Sequence, residues 1–189
     1  GRSARPLPEA IKENLQAIAW YASKGIPVEV NEAHHWSLRY GPDTVATAAF
    51  YLAAYNAKAA GVKDYVAQVM LNTPSGISAR MDLGKALAGL ELIQKLAGPE
   101  FRIHREVRAG LASLSVRPFT AKGQLAAATV LGLSLKPEII HVVAFCEAEH
   151  IATVDDIIES CGIVQGVLKN MLFDAPDLTT DPAVLTRKE

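Results

Sequence analysis

Cysteine is scarce in this chain of 189 residues, which has only Cys146 and Cys161. Two cysteines are too few for a disulfide scaffold and favour a reducing, cytoplasmic compartment. Positive charge is not in excess either, because 19 Lys and Arg face 20 Asp and Glu. A near-neutral balance without a basic block does not indicate a nucleic-acid partner.

Long apolar runs and nucleotide-binding motifs are also missing. No run reaches the roughly 18 residues that a membrane-spanning helix needs, and the polar, proline-interrupted first residues lack the pattern of a signal peptide. Neither G-x-G-x-x-G after a strand nor G-x-x-x-x-G-K-[ST] occurs, so the dinucleotide and nucleoside-triphosphate fingerprints are absent. The chain does have apolar residues, 50% of the total against 21% charged. We therefore expect a cytoplasmic globular domain that binds neither nucleic acid nor membranes.

Strand and helix patterns alternate along the chain. A leading helix in residues 1–25 is followed by four strand–helix units over residues 26–173 and by a C-terminal tail, residues 174–189. The strand patterns cover residues 26–36, 64–71, 101–108 and 138–147, and Ser78 and Thr153 are placed to cap helices. Such alternation is typical of an α/β fold with a parallel sheet and right-handed crossovers. A doubly wound sheet, an arc of a barrel and a plain antiparallel α+β sheet with one wet side remain as alternatives.

The faces of the predicted strands favour the barrel. In the third strand, Ile103 and Val107 alternate with His104, Glu106 and Arg108. A doubly wound sheet has helices on both faces, so its strands are apolar on both, whereas a barrel lumen can surround a polar face. We expect four consecutive βα units that form half of a (β/α)8 TIM-type barrel, since a whole barrel needs about 250 residues. A half-barrel has two open sheet edges, which predicts a homo-oligomer or a complementary subunit that supplies the other half.

Polar side chains collect at the carboxyl ends of the predicted strands, where parallel α/β folds bind ligands. A desolvated carboxylate at the end of the fourth strand can act as acid or base, and an arginine fork matches a carboxylate or phosphate group. The candidate catalytic residues are Glu147, Glu32 and His34. The candidate substrate-binding residues are Arg108, Arg105, Asn31, Asn72, His35, His104, Glu149 and His150.

A metal site is an alternative interpretation of the same strand ends. Glu32, His34, Glu149 and His150 offer carboxylate and imidazole groups, which suit several divalent ions. Their spacing matches neither H-E-x-x-H nor a closed zinc pattern. A simpler interpretation of the adjacent His34 and His35 is that one packs at the edge of the barrel and the other is solvated. Cys146 is interpreted as a core residue.

Four segments resemble the barrel half of cobalamin-dependent mutases of the glutamate mutase and lysine aminomutase type. They are NEAHHW, VMLNTPSGISARMDL, AKGQLAAAT and IIHVVAFCEAEHIATVDDIIES. The resemblance implies a barrel whose mouth faces a corrinoid and whose lumen binds a small charged, amino-acid-like substrate. It also implies an isomerase or a methyl-transfer enzyme with cobalamin as cofactor. The family's D-x-H-x-x-G motif, which belongs to a separate cobalamin-binding domain, is absent. A metal-dependent lyase or hydrolase and a non-catalytic assembly subunit are the alternatives.

Overall fold

The protein is described by a computed structural model over residues 4–30, 36–171 and 177–189. Six α-helices are described: α1 Leu7–Ser23, α2 Asp43–Ala59, α3 Ala79–Gln94, α4 Pro118–Leu133, α5 Val154–Met171 and α6 Pro182–Lys188. Four strands alternate with them: β1 Val28–Glu29, β2 Asp64–Leu71, β3 Arg102–Ala109 and β4 Ile139–His141. Short 3-10 helices lie at Leu111–Ser113, Phe145–Ala148 and Leu178–Thr180.

The four strands form one sheet in the order β1-β2-β3-β4. All three pairings are parallel, and β2 pairs with β3 along its whole length, from Asp64 opposite Arg102 to Leu71 opposite Ala109. The expected parallel α/β arrangement is therefore confirmed, and the antiparallel alternative is wrong. Spatial order follows chain order without the reversal that defines a doubly wound sheet.

The hydrophobic core lies on one side of this sheet. Its two clusters join side chains of the helices to strand residues, and all of these strand residues belong to the same face: Val28, Tyr65, Ala67, Val69, Leu71, Ile103, Val107, Ala109 and Ile140. Helix α4 approaches this face closely at Gly132, where an added Cβ would lie 3.0 Å from a methyl group of Val107. The other face has a different composition and is described below.

Local signals start the helices as the sequence indicates. The Ser78 hydroxyl accepts a hydrogen bond from the backbone of Met81 at 3.3 Å and caps α3. At the start of α5, the backbone N–H of Thr153 donates to the Asp156 carboxylate at 2.9 Å, and the Asp156 N–H donates back to the Thr153 hydroxyl at 3.3 Å. This reciprocal pair is a capping box with Asp in the acidic position.

The fourth strand differs from the expectation. It has only three residues, and the chain leaves the sheet after His141 rather than continuing to residue 147. Phe145 and Cys146 bury their side chains against α4 and α5 instead, and the Phe145 N–H donates to the Ser160 hydroxyl of α5 at 3.1 Å. These contacts turn the segment into a 3-10 helix, so Glu147 is exposed and does not end a buried strand.

The tail is an ordered extension that packs on the domain. Helix α6 lies against α3, and its Val184 is 1% exposed in the main core cluster. Gly84 of α3 makes this approach possible, since a Cβ at that position would lie 2.8 Å from the Cβ of Arg187. Over the described ranges, no helix is both long and apolar enough to cross a membrane.

Candidate functional site

The sheet face opposite the core has a row of polar and charged side chains. In register, Gln68 lies beside Glu106, and Arg108 lies between Met70 of β2 and His141 of β4. The Gln68 amide donates to Glu106 Oε1 at 2.6 Å, and His141 Nδ1 lies 3.5 Å from the same oxygen. The Glu106 side chain is only 9% exposed, so a carboxylate is buried there with one close hydrogen bond.

Two buried polar atoms of this face have no hydrogen-bond partner within the part of the chain that the structure describes. They are Oε1 of Gln68, whose residue is 3% exposed, and Nε of the half-buried Arg108. No described side chain forms an ion pair with Arg108 within 4.0 Å. Buried polar groups are normally satisfied in folded proteins, and such groups at a strand's carboxyl end are typical of a ligand site.

Glu29 adds a second carboxylate to the face. Partial burial raises the pKa of Glu29 first, the neighbouring Glu106 carboxylate raises it further, and Arg108 acts in the opposite direction. Glu106 and Arg108 of β3 therefore act electrostatically on Glu29 of β1. We call the group of Glu29, Gln68, Glu106, Arg108 and His141 the polar-face cluster.

The polar-face cluster holds a cationic and an anionic group close together. Glu106 and Arg108 are two residues apart on one strand face, so their Cα atoms lie about 7 Å from each other. The Arg108 guanidinium can donate two parallel hydrogen bonds to a carboxylate. Glu106 can accept from an ammonium group, and the buried Gln68 Oε1 supplies another acceptor.

A second polar cluster fixes the loop at the carboxyl end of β2. The buried Asp82 carboxylate accepts from the Asn72 N–H at 2.5 Å, and the Lys85 ammonium lies 3.7 Å from Asp82. Lys85 also donates to the Thr73 carbonyl. Burial raises the pKa of Asp82 to about 6, although its hydrogen bond to Asn72 and the nearby Lys85 both lower it. Every strong contact here goes to the protein's own backbone, which indicates a structural role.

An open cleft lies beside β2, between α2 and α3. Ser37, Thr47, Phe50, Gln68 and Lys85 contribute to its lining. Gln68 therefore connects the cleft to the polar-face cluster.

Arg105 and His104, two of the predicted substrate-binding residues, lie away from the polar-face cluster's Arg108 in the structure. Arg105 lies in register with the core-facing Ala67, and its guanidinium donates to the Leu135 carbonyl at 3.1 Å, so it secures the connection between α4 and β4. His104 lies near the amino end of β3, with Nε2 2.9 Å from Asp64 and Nδ1 3.5 Å from Glu138. His104 therefore lies on the same face of β3 as Arg108, but at the opposite end of the strand.

Asn72 follows β2 with a φ of 56°, so it turns the chain rather than extending the strand. Its carbonyl accepts from the Ser113 hydroxyl, and its N–H donates to Asp82. Asn72 therefore supports the loop through its backbone. The left-handed conformation of Asn72 ends the strand alternation, so the residue does not continue the polar face of β2.

Glu147, Glu149 and His150 lie together after β4, on an exposed turn. His150 Nδ1 is 3.5 Å from Glu149, and its Nε2 is 3.2 Å from Asp156. These residues do not face the polar-face cluster through a strand, since β4 has already ended. Glu147 is therefore not the desolvated carboxylate that the sequence predicts at the end of the fourth strand.

Four predicted site residues lie outside the described residues: Asn31, Glu32, His34 and His35. They directly follow β1, the strand beside β2. Their roles stay predictions.

Sequence reasoning placed Glu106 and Gln68 on the correct face but did not include them among the site residues. The signal was present, because both fall on the polar side of the strand alternation with Arg108. The buried Asp82–Lys85 pair had no such signal, since an acidic residue in the first turn of a helix is common at the surface.

Exposed apolar side chains occur in the loops and first helical turns that follow each strand. Phe119 is 90% exposed and Ile151 is 94% exposed. The others of this set are Trp36, Tyr40, Met81, Val116 and Val154. We call these seven residues the apolar rim. All of them follow the carboxyl end of a strand, and parallel strands place those ends at one edge of the sheet.

The chain matches no known protein-family model, and no curated protein matches it.

Proposed function

We propose that the chain is half of a (β/α)8 barrel whose lumen binds a small, charged, amino-acid-like substrate. The observation that carries this proposal is Arg108, a half-buried arginine without a described hydrogen-bond partner at Nε, beside the buried carboxylate of Glu106. A cation and an anion that are held close together on one strand face complement the two charges of an amino acid.

The barrel part of the proposal rests on the order of the strands and on the two faces of the sheet. Each strand lies beside the strand that precedes it in the chain. The clusters packed by helices contain strand residues of only one face of the sheet. The buried Met70, at 5% exposure, belongs to neither cluster. A sheet that curls around its polar face accounts for the burial of Met70, Gln68 and Glu106, which belong to neither of the helix-packed clusters of described residues.

The substrate's carboxylate would bind to Arg108, and its ammonium group would bind to Glu106. Gln68 holds Glu106 in place through the 2.6 Å hydrogen bond, and His141 lies within reach of the same carboxylate. The burial of Glu106 and the partial burial of Arg108 strengthen charge-assisted hydrogen bonds. These residues bind and orient the substrate.

A corrinoid is the cofactor that the resemblance implies, and the apolar rim fits such a group. A corrin has wide apolar faces, and the rim offers exposed aromatic and aliphatic side chains, with Phe119 and Ile151 the most exposed. Rim residues would lie against it at the mouth of the barrel. Bound cobalamin supplies radical initiation for a mutase or a methyl group for methyl transfer.

The barrel would be completed by a second copy or by a complementary subunit. Strands β1 and β4 are the edges of the sheet, and unpaired edges favour association with another strand. Helix α1 has no buried residue, and its Leu7, Ile11 and Leu15 are exposed by 72%, 51% and 41%. An apolar helix face that is uncovered in one chain is consistent with contact to another.

The native mass tests the barrel part. Light scattering at increasing concentration should give a dimer or a defined complex. A monodisperse monomer at high concentration would contradict the half-barrel.

Titration calorimetry on the assembled protein tests the substrate part with L-glutamate, L-lysine and L-ornithine as probes. At least one should bind, and Arg108→Gln should weaken its binding by about 10- to 150-fold, which corresponds to a charge-assisted hydrogen bond of about 1.5–3 kcal/mol. Arg105→Gln is the matched control, because Arg105 lies on the same strand but in the core-facing row, and it should leave affinity unchanged. Equal losses in both variants, or no binding of any probe, would contradict the proposal.

A further inference from the structure

Three side chains with metal-binding groups meet where the segment after β4 enters α5. The Cys146 sulfur, a ring nitrogen of His150 and a carboxylate oxygen of Asp156 all lie within 4.8 Å of one another. Cys146 is buried at 4% exposure, whereas His150 is exposed and Asp156 is partly buried. The sequence interpretation assigned Cys146 to the core and Asp156 to the helix cap, so neither was considered together with His150.

The backbone holds these three residues in place. The N–H groups of Glu149 and His150 donate to the Cys146 carbonyl at 2.8 and 3.0 Å, which folds the turn so that His150 returns to Cys146. Asp156 is fixed by the capping box with Thr153. The Ser160 hydroxyl accepts from Phe145 and donates to the Asp156 carbonyl at 2.7 Å, so it ties the 3-10 helix to α5.

The remaining contacts of His150 match those of a metal ligand. Its Nε2 is 3.2 Å from Asp156, and its Nδ1 is 3.5 Å from the Glu149 carboxylate. Histidines that bind metal usually pair their second ring nitrogen with a carboxylate, which fixes the tautomer and orients the ring. Glu149 is placed to do this at Nδ1, while Nε2 lies beside Asp156.

We propose that Cys146, His150 and Asp156 bind one divalent metal ion of the zinc class. A thiolate, an imidazole and a carboxylate are all ligands of Zn²⁺, and three protein ligands leave a fourth tetrahedral position for water or another ligand. As the metal–sulfur bond forms, the thiol releases its proton to solvent. The ion would close the turn between β4 and α5, and the proposal is independent of the substrate site.

Cobalt titration of the full-length chain, freed of metal by a chelator that is then removed, tests this site directly. The wild-type chain should take up one Co²⁺ per chain and show the near-ultraviolet thiolate-to-cobalt band and the visible bands of a tetrahedral site. Zn²⁺ should displace the cobalt and abolish the near-ultraviolet and the visible bands. Uptake of less than one equivalent, or a spectrum without the thiolate band, would overturn the proposal.

Matched variants identify the ligands. Cys146→Ser should remove the thiolate band, whereas Cys161→Ser, the control cysteine on α5, should keep it. His150→Ala should weaken Co²⁺ binding, and His141→Ala should not. Because His150 is exposed, its variant should fold even if Cys146→Ser does not, and circular dichroism checks both. Glu149→Gln should weaken binding by about 10- to 100-fold. A band that survives Cys146→Ser and disappears in Cys161→Ser would contradict the assignment, as would an unchanged affinity in His150→Ala.

Discussion

Replacing the buried Glu106 by glutamine should separate substrate binding from stability. The glutamine keeps the shape of the side chain and an oxygen that can accept the 2.6 Å hydrogen bond from Gln68. It removes a charge that is 9% exposed and that lies near a second carboxylate, Glu29. We therefore expect a folded protein that binds an amino acid poorly.

The size of the stability change follows from two opposing contributions. A hydrogen bond to a charged group contributes about 1.5–3 kcal/mol, and a neutral one about 0.5–1.5 kcal/mol, so about 1 kcal/mol is lost at Gln68. Relief from the desolvation of a buried charge contributes about 1–4 kcal/mol in the other direction. The net expectation is stabilisation by up to about 3 kcal/mol. For a chain of this length, each kcal/mol raises the Tm by about 2–4 °C.

Thermal melts and calorimetry on the same samples provide the assay. Glu106→Gln should melt a few degrees higher than the wild type and lose most of its affinity for the amino-acid probe. Glu100→Gln is the control, because Glu100 is 83% exposed and forms an ion pair with Lys63 at 3.3 Å on the surface. Its effect should stay within about 0.5 kcal/mol.

A third readout concerns Glu29. Since Glu106 is one of the causes that raise the pKa of Glu29, that pKa should fall in Glu106→Gln when it is followed by NMR. A lower Tm in Glu106→Gln together with unchanged ligand affinity would refute the reasoning, because it would show that the charge serves the fold alone.

Three further predictions concern the fold around the site. The pKa of Asp82 is raised to about 6 from 3.8, so the folded state holds an extra proton between about pH 4 and 6. The free energy of unfolding should therefore fall by roughly 3 kcal/mol as pH rises through that window. Urea unfolding of Asp82→Asn should lack this pH dependence, and an unchanged dependence would contradict the prediction. Gly84→Ala should destabilise the protein by about 1–3 kcal/mol, because the added Cβ would lie 2.8 Å from the Arg187 side chain. The control, Gly123→Ala in the open part of α4, should stabilise it by up to about 1 kcal/mol. Equal Tm shifts in the two variants would argue against a tight α3–α6 contact. Removing the cap with Ser78→Ala should cost about 1 kcal/mol, and a loss below about 0.3 kcal/mol in urea unfolding would show that the cap contributes little.

Local and periodic features could be predicted from the sequence. The range of β2 is as expected, and Ser78 and Thr153 cap the helices that they were expected to cap. Alternation also placed Glu106 and Arg108 on one face of β3 and Ile103 on the other. These features depend on residues that are close together in the sequence, so they can be predicted without knowledge of the fold.

Features that depend on distant contacts could not be predicted in the same way. The apolar run before Glu147 has the composition of a strand, yet the contact of Phe145 with Ser160 and the packing of Cys146 against α4 and α5 end the strand at His141. The approach of Cys146, His150 and Asp156 likewise depends on the fold of that turn.

The most direct test of the central claim is a crystal structure of the assembled protein with the amino acid that calorimetry identifies. The account predicts the ligand on the polar-face cluster, with its carboxylate bound by the Arg108 guanidinium and its ammonium group bound by the Glu106 carboxylate. A ligand bound instead in the cleft between α2 and α3, or an Arg108 that is occupied by a protein carboxylate in the assembly, would contradict the account.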